Sequence, residues 1–96
     1  MADRTLRRIR AAFREAEFDM TAHGVEEMTE DGLYLLDLET AISNGWIYRI
    51  EKDDPRGTRY TIHGTAADGD TPVGSVGRFT ETGCYLVITV YRITEP

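Results

Sequence analysis

The stretch that most constrains the fold is the strand-like segment at residues 84–92. It reads Cys-Tyr-Leu-Val-Ile-Thr-Val-Tyr-Arg and is the longest run of β-branched and aromatic residues in the chain. Because successive side chains of a strand point to opposite faces, the segment has two different faces. The predicted core face carries Cys84, Leu86, Ile88 and Val90, and the opposite face carries Tyr85, Val87, Thr89 and Tyr91. We therefore expect this strand inside a small sheet, with helices on its aliphatic face and the functional surface on its hydroxyl-bearing face.

The first half of the chain has helical periodicity. Residues 3–17 form an amphipathic pattern with arginines on the polar side, and its apolar face consists of Leu6, Ile9, Phe13 and Ala16. Residues 22–30, preceded by Thr21 as N-cap and followed by Gly32 as a stop signal, predict a second helix. Residues 34–43 predict a third. The inward side chains expected in these two helices are Val25, Met28, Leu35, Leu38, Ala41 and Ile42.

The second half of the chain reads as strands separated by turns. Asn44-Gly45 fits either a helix end or a type I′ hairpin turn, and the 3.6-residue period before it favours the helix end. The strands are predicted at residues 46–51, 58–64, 73–79 and 84–92, and their short connections favour antiparallel neighbours. The predicted fold is α+β, with two or three N-terminal helices packed on one face of a four-stranded antiparallel meander. The length indicates a single domain, residues 1–96, in which a basic helix at 1–18 precedes the core at 19–96.

The charge of the chain is negative and unevenly distributed. The net charge of −6 argues against a general nucleic-acid-binding surface. Residues 1–14 nevertheless hold five arginines against one aspartate, which gives +4, whereas residues 15–96 hold six basic and sixteen acidic groups, which gives −10. The basic helix can meet nucleic acid, an acidic partner or the acidic body of its own chain, or it can simply be a solvated face.

Cysteine content and hydropathy indicate the compartment. The single cysteine, Cys84, has no partner for an internal disulfide, and the first residues lack the apolar segment of a signal peptide. No apolar run approaches the ~20 residues that cross a bilayer. We therefore expect a cytoplasmic protein that does not enter membranes.

Metal, nucleotide and nucleophile motifs are missing from the sequence. His23, His63 and Cys84 lie far apart and lack the paired spacing of a zinc site. Asp53-Asp54 and Asp68-Gly69-Asp70 read as solvated turns, and no glycine-rich phosphate loop is present. Accordingly, neither a metal nor another cofactor is expected.

General acid–base chemistry is the remaining class. If Tyr60 and Ile62 face the core, the strand at 58–64 turns Arg59, Thr61 and His63 to the side that carries Thr89 and Tyr91. Arginine and hydroxyls can hold a phosphate, histidine can exchange protons near neutral pH, and His23 lies at a helix N-terminus, which favours anions. Alternatively, His63 is an ordinary strand residue and His23 a local helix-end residue.

A series of short motifs follows a recognisable order over residues 19–92. The motifs are Thr21-Ala22-His23, Glu27-Met28, Gly32-Leu33, Ala41-Ile42, Asn44-Gly45, Asp54-Pro55-Arg56-Gly57, Tyr60, Gly64, Val76 and Ile88-Thr89-Val90-Tyr91. This order resembles an uncharacterised bacterial domain family, which itself looks related to the RelE/ParE-like toxins and to the wider group of metal-free ribonucleases. The basic helix lies outside the resemblance. Where that family has arginine after the histidine, this chain has Glu27, which repels a phosphate but can serve as a base.

The resemblance implies a toxin-like, metal-free endoribonuclease, active or degenerate. In such an enzyme a ribose 2′-hydroxyl attacks the adjacent phosphate, and histidine acts as acid or base. The residues implied as catalytic are His23, Arg59, Thr89 and Tyr91. In addition, His63, Arg56 and Arg78 are predicted to bind the substrate. The implied partners are RNA and an antitoxin-like protein. The alternative is a non-catalytic protein-interaction module that uses the same sheet face or the arginine-rich helix.

Overall fold

A computed structural model describes residues 3–94 of the chain. Its helices and strands, in chain order, are α1 (Asp3–Arg14), β1 (Phe18–Met20), α2 (Ala22–Glu30), α3 (Leu35–Asn44), β2 (Trp46–Glu51), β3 (Arg59–Thr65), β4 (Pro72–Phe79) and β5 (Tyr85–Arg92). From residue 22 onwards, the predicted bounds of each helix and strand agree with the structure to within one residue. Within residues 3–94, no helix has the length and apolar character needed to cross a membrane.

α2 begins and ends at the residues predicted from the sequence. Thr21 Oγ1 accepts a hydrogen bond from the Gly24 N–H at 3.0 Å, as an N-cap does. At the other end, Gly32 has φ 73°, and the Leu33 N–H donates to the Met28 carbonyl at 2.9 Å. This is the pattern of a Schellman motif, and glycine favours it because it has no Cβ to clash in the left-handed conformation.

α1 ends earlier than its periodicity predicts. Ala16 adopts φ 57°, and the Glu17 N–H donates to the Ala12 carbonyl at 2.8 Å, so the chain leaves the helix through a left-handed residue that is not glycine. Leu6 and Ile9 are buried as expected. Ala16, predicted on the apolar helix face, lies beyond the helix and is exposed, so that assignment is wrong.

The sheet has five strands in the order β1-β5-β4-β3-β2. β2 to β5 are antiparallel neighbours, as predicted. β1 adds a fifth strand that runs parallel to β5, with Phe18 opposite Tyr85 and Met20 opposite Val87, so the expectation of four antiparallel strands is corrected to a mixed sheet. Three residues are too few to show a period-2 pattern, and β1 is a strand only because the backbone of β5 pairs with it.

A bulge interrupts the pairing of β5 with β4. Gly77 lies opposite Val87 and the preceding residue, Val76, lies opposite Thr89, so Ile88 is an extra residue on β5. One extra residue shifts the alternation of side chains between the two faces by one position. The alternation of inward and outward side chains therefore changes at Ile88, and a prediction that assumes regular alternation along the whole strand misses this change.

The bulge corrects the predicted core face of β5. Its buried side chains are Tyr85, Val87 and Val90. Of the four residues assigned to the core, Val90 is correct, whereas Cys84, Leu86 and Ile88 are only half-buried. Tyr85 and Val87, assigned to the hydroxyl-bearing face, are core residues. Thr89 and Tyr91 lie on that face as predicted, because they follow the bulge.

α3 packs directly on the sheet. A Cβ built at Gly64 in β3 would lie 2.8 Å from the carbonyl carbon of Ala41, so the two backbones approach closely only because position 64 is glycine. Leu38, Ala41 and Ile42 are buried as predicted, but Leu35 is exposed. It lies in the first turn of the helix, and its predicted inward orientation is wrong.

α2 lies along the edge of β5, next to β1. The Thr21 hydroxyl donates to the Ile88 carbonyl at 2.9 Å, and a Cβ built at Gly24 would lie 3.1 Å from the same oxygen. Since strand carbonyls point along the sheet, the helix must approach β5 from its edge. Met28 is buried, whereas Val25 is exposed, so its predicted inward position is wrong.

Candidate functional site

The face of the sheet opposite α3 carries most of the residues predicted as a site. On β3, Ile62 is buried and Tyr60 packs against the core, so the intervening residues point the other way, as predicted. The strand register aligns Thr61 with Val76 and Thr89, and His63 with Gly74 and Tyr91. We call this side of the sheet the open face; it comprises Trp46, Tyr48, Arg49, Glu51, Arg59, Thr61, His63, Gly74, Val76, Arg78, Thr89 and Tyr91.

Tyr91 reaches across β4 because position 74 is glycine. A Cβ built at Gly74 would lie 2.5 Å from Cε2 of Tyr91 and 2.7 Å from its hydroxyl oxygen. The ring therefore occupies the space above Gly74, and its hydroxyl points along the row that leads to His63 on β3. Burial raises the pKa of the Tyr91 phenol, and the nearby Glu27 and Tyr48 raise it further, while Arg49 opposes them. Tyr91 thus remains a protonated hydrogen-bond donor at neutral pH.

An aromatic cluster on β2 adjoins this row. A second bulge makes Tyr48 an extra residue, because Ile47 and Arg49 pair with consecutive residues of β3. The Tyr48 ring stacks on His63 with centroids 4.0 Å apart and planes 12° apart, and Trp46 meets His63 edge-on at 6.3 Å. Trp46 is 57% exposed. Burial lowers the pKa of His63, and the positive charge of Arg49 lowers it further, so the imidazole is neutral at pH 7.

His23 and Glu27 form a pair on α2. His23 Nε2 lies 3.7 Å from Glu27 Oε1, with the side chains 70% and 32% exposed, respectively. Glu27 Oε1 is itself buried and has no hydrogen-bond partner within residues 3–94. α2 packs against β5, and the negative charge of Glu27 raises the pKa of the Tyr91 phenol, so Glu27 lies near the end of the open face that carries Tyr91. An unpaired carboxylate oxygen beside an exposed imidazole suits acid–base exchange.

Arg59 belongs to a different part of the open face. Its guanidinium lies 3.6 Å from both Glu51 Oε1 and Asp54 Oδ2, and its Nε is buried without a hydrogen-bond partner in the described chain. Arg56 also reaches Asp54, at 3.3 Å, and Arg78 Nη1 donates to the Arg56 carbonyl at 3.3 Å. The backbone and side-chain hydrogen bonds from Arg56 hold the pKa of Asp54 below its usual value. These arginines therefore fasten the turn between β2 and β3.

The structure places six of the seven predicted site residues in two groups, and the seventh, His23, lies apart from both on α2. Thr89, Tyr91 and His63 share the end of the open face nearest α2, whereas Arg59, Arg56 and Arg78 gather at the β2–β3 turn. Arg59 is four residues from His63 along β3, roughly 13 Å. A different arginine, Arg49, stands beside Thr61 and the Tyr48 ring.

Sequence reasoning missed Trp46, Tyr48, Arg49 and the role of Gly74. The apolar and aromatic residues of β2 are conspicuous in the sequence, and an exposed Trp46 and Tyr48 on one strand would have been a signal. However, the position of Arg49 on the same face depends on the bulge at Tyr48, which no local pattern indicates.

Neither the open face nor the rest of residues 3–94 gathers metal ligands, and a groove lies elsewhere on the molecule. Among residues 3–94, no three histidine, cysteine, aspartate or glutamate side chains gather in a way that would hold a metal ion. A groove of about 260 Å³ lies instead between α1 and α3, lined by Arg10, Phe13, Arg14, Glu39, Ile42 and Ser43. Arg10 is engaged there with two backbone carbonyls, so the groove offers no free catalytic group from that side chain.

Comparison with known proteins identifies a family but no characterised relative. No curated protein and no solved structure matches the chain. A family model described as "Domain of unknown function (DUF4258)" matches residues 20–92, which include α2, α3 and the strands that build the open face, and leave out α1. Since this match covers most of the chain, the protein belongs to the family described as Domain of unknown function (DUF4258).

Proposed function

We propose that the open face binds RNA and cleaves it without a metal ion, as a toxin-like endoribonuclease related to the RelE/ParE-like group. The observation that carries this proposal is the row of His63, Gly74 and Tyr91 beside Arg49. Tyr91 in this row supplies a protonated phenol, Arg49 beside it supplies a guanidinium, and the pair of His23 and Glu27 adds a base at the neighbouring helix. Metal-free RNA cleavage requires a base, an acid and a cation that stabilises phosphate charge.

The proposed reaction is an intramolecular transesterification. His23 removes the proton of a ribose 2′-hydroxyl, and the 2′-oxygen attacks the adjacent phosphorus. The bond from phosphorus to the 5′-oxygen breaks, leaving a 2′,3′-cyclic phosphate and a 5′-hydroxyl that takes its proton from Tyr91. Arg49 stabilises the charge on the phosphate, the role that sequence reasoning gave to Arg59, and the Thr89 hydroxyl supplies a further donor.

Glu27 has a defined part in this proposal. A carboxylate repels a phosphate, but beside His23 it stabilises the imidazolium that forms when the base has taken the proton. Its unpaired oxygen is available for this ion pair. An arginine at position 27, as in the family that the chain resembles, would bind the phosphate directly, whereas Glu27 acts through His23.

The experiment is cleavage of mixed RNAs by the purified protein, with and without a chelator. We expect cleavage that survives chelation, is abolished in His23→Ala, and falls at least tenfold in Tyr91→Phe and Glu27→Gln. Glu26→Gln is the matched control, because Glu26 is an exposed neighbour on the same helix. His23→Ala should keep the melting temperature of the wild type, since His23 is 70% exposed. Tyr91→Phe and Glu27→Gln keep the size and shape of the side chains that they replace and should also keep it.

Cleavage that is unchanged in both His23→Ala and Glu27→Gln would refute this assignment. Loss of cleavage on chelation would refute the metal-free mechanism.

A non-catalytic protein-interaction module is the second candidate. The observation that favours it is the exposure of Tyr34, Leu35 and Leu36, three large apolar residues at the start of α3. An antitoxin-like protein covering this patch would change its hydrogen exchange, whereas RNA would protect the open face. Mutation of Leu36 to serine should weaken such a partner without affecting RNA cleavage.

A further inference from the structure

We propose that Trp46, Tyr48 and His63 form a subsite that stacks an unpaired nucleobase of single-stranded RNA, with Arg49 binding the adjacent phosphate. This inference rests on the proposed function and adds the class of substrate, single strands rather than duplexes. It also assigns a role to Trp46, Tyr48 and His63, which transfer no proton and bind no phosphate in the proposed cleavage reaction.

The geometry of the rings supports a stacking site. Tyr48 and His63 are nearly parallel, at 12°, while Trp46 stands at 71° to His63 and closes one side of the cluster. Trp46 is 57% and Tyr48 55% exposed, so two large aromatic surfaces are in water. Bases of a single strand can cover such surfaces, and each base stacked on an aromatic side chain contributes measurably to affinity. A duplex keeps its bases stacked internally and cannot use them in this way.

The bulge in β2 brings Arg49 next to the aromatic rings. Tyr48 is the extra residue between Ile47 and Arg49, and its ring lies on the same face as Trp46 and His63. Without the extra residue, side chains two apart in the strand would share that face and Arg49 would point away from it. The bulge thus presents consecutive residues, an aromatic ring and a cation, on a single face.

The charge of Arg49 supports a phosphate next to the base. Its guanidinium carbon lies 5.7 Å from the centre of the Tyr48 ring, and within the described chain it makes no salt bridge. Arg59 and Arg56, by contrast, are held by Glu51 and Asp54. Arg49 is therefore an uncompensated cation beside the rings, the combination by which proteins hold single strands.

The test uses the single tryptophan of the chain, Trp46, as its own reporter. The wild-type protein is titrated with 2′-O-methyl hexaadenylate, which cannot be cleaved because its 2′-oxygens are blocked. We expect the Trp46 fluorescence to be quenched when a base stacks on the ring. This measurement uses the wild-type protein alone. Binding of a labelled form of the same oligonucleotide is then measured by fluorescence anisotropy.

In the anisotropy assay, Trp46→Ala and Tyr48→Ala should each weaken binding by about 5- to 150-fold, the range for loss of one stacked base. Arg49→Ala should reduce the slope of log affinity against log salt by roughly 0.7, as expected for one phosphate contact on a single strand. Ile50→Ala is the matched control, because Ile50 lies on β2 but pairs with Tyr60 on the core side of the sheet, and is 45% exposed. It should bind as the wild type does.

The outcomes separate this inference from the proposed function. Quenching and Trp46-dependent binding without cleavage of ordinary RNA would support the subsite and overturn the proposed catalysis. Cleavage at full rate by Trp46→Ala, with no quenching in the wild type, would overturn the subsite and leave the catalysis standing. Binding that Trp46→Ala and Ile50→Ala weaken equally would also overturn the subsite, since it would indicate a partner pairing with the free edge of β2.

Discussion

Individual glycines decide where two tyrosine rings of β5 lie. Tyr91 covers Gly74 on the open face, and Tyr85 covers Gly77 on the core face, where a built Cβ would lie 2.6 Å from the Tyr85 hydroxyl oxygen. Each ring thus extends from β5 across β4, and the two rings lie on opposite faces of the sheet. The first ring builds the site and the second fills the core. Glycine weakens a strand in isolation, but an aromatic ring lying over it restores the packing.

The Tyr85 hydroxyl is buried and has no hydrogen-bond partner within residues 3–94. Burial raises the pKa of this phenol well above its usual range, and the nearby Tyr60 raises it further. Since an unpaired buried hydroxyl is unfavourable, Tyr85→Phe should increase the free energy of unfolding by about 1 kcal/mol in urea denaturation. Tyr48→Phe, at an exposed ring, is the control and should change little. A loss of stability in Tyr85→Phe would show that the hydroxyl has a partner.

His63 should make stability depend on pH. Burial lowers its pKa below the ordinary 6.5 in the folded state, so the unfolded chain takes up the proton first as the pH falls. The stability that neutral His63 contributes is therefore complete above pH 6.5 and is lost as the pH falls below it. We expect the wild type to lose more melting temperature than His63→Phe between about pH 7.5 and about pH 5.5. Equal losses in the two proteins would show that His63 takes up its proton alike in the folded and the unfolded chain.

Bulges determine which side chains of β2 and β5 face the core and which face outward. The extra residue Ile88 turns Tyr85 and Val87 into the core while leaving Thr89 and Tyr91 on the open face. The extra residue Tyr48 likewise brings Arg49 onto the open face beside Trp46. Bulges occur in strands near functional sites because they redirect side chains, and both bulges here do so.

The bulge in β5 can be tested by the same substitution on two faces. Val87→Thr places a hydroxyl in the core, where Val87 is 1% exposed, and should destabilise the protein by about 1–3 kcal/mol. Val76→Thr, at the half-buried open face of β4, should cost far less. The measurement is the midpoint of urea unfolding. Equal losses would mean that β5 alternates uniformly and that Val87 faces outward.

At the scale of the whole molecule, the basic α1 helix is held by the acidic body through particular side chains. Arg10 donates from Nε to the Ile42 carbonyl and from Nη2 to the Gly45 carbonyl, both at 3.0 Å, at the C-terminal end of α3. The Arg8 guanidinium lies 4.2 Å from the centre of the Phe79 ring. The sequence left open whether this basic helix meets nucleic acid, an acidic partner, solvent or its own chain. Two of its arginines, Arg8 and Arg10, contact the rest of the chain.

Arg10→Ala should loosen the docking of α1. It leaves two carbonyls at a helix end without a charged donor, so we expect a loss of about 1.5–3 kcal/mol in unfolding free energy. Arg7→Ala, an exposed arginine of the same helix, is the matched control and should be neutral. Arg10→Lys should recover only part of the loss, because an ammonium lacks the planar fork that reaches both oxygens. Equal stabilities of Arg10→Ala and Arg7→Ala would show that α1 is held by its apolar face alone.

About half of the candidate site follows from the sequence. Period-2 alternation in β3 correctly assigned Arg59, Thr61 and His63 to the face shared with Thr89 and Tyr91. It did not show that Arg59 is held by Glu51 and Asp54, because an ion pair across a turn depends on how the two strands close. The position of Arg49 on this face was also missed, because it depends on the bulge that forms where β2 pairs with β3.

By itself the sequence determined the features that depend on nearest neighbours along the chain: the positions of the helices and of the four long strands, the N-cap at Thr21 and the helix end at Gly32. These follow from local backbone sterics and from hydrogen bonds within a few residues. Only the tertiary structure decided the parallel pairing of β1, the two bulges and the crossing of Tyr91 over Gly74. Each of these depends on the partner strand, because backbone pairing and the space beside a side chain are set by residues distant in sequence.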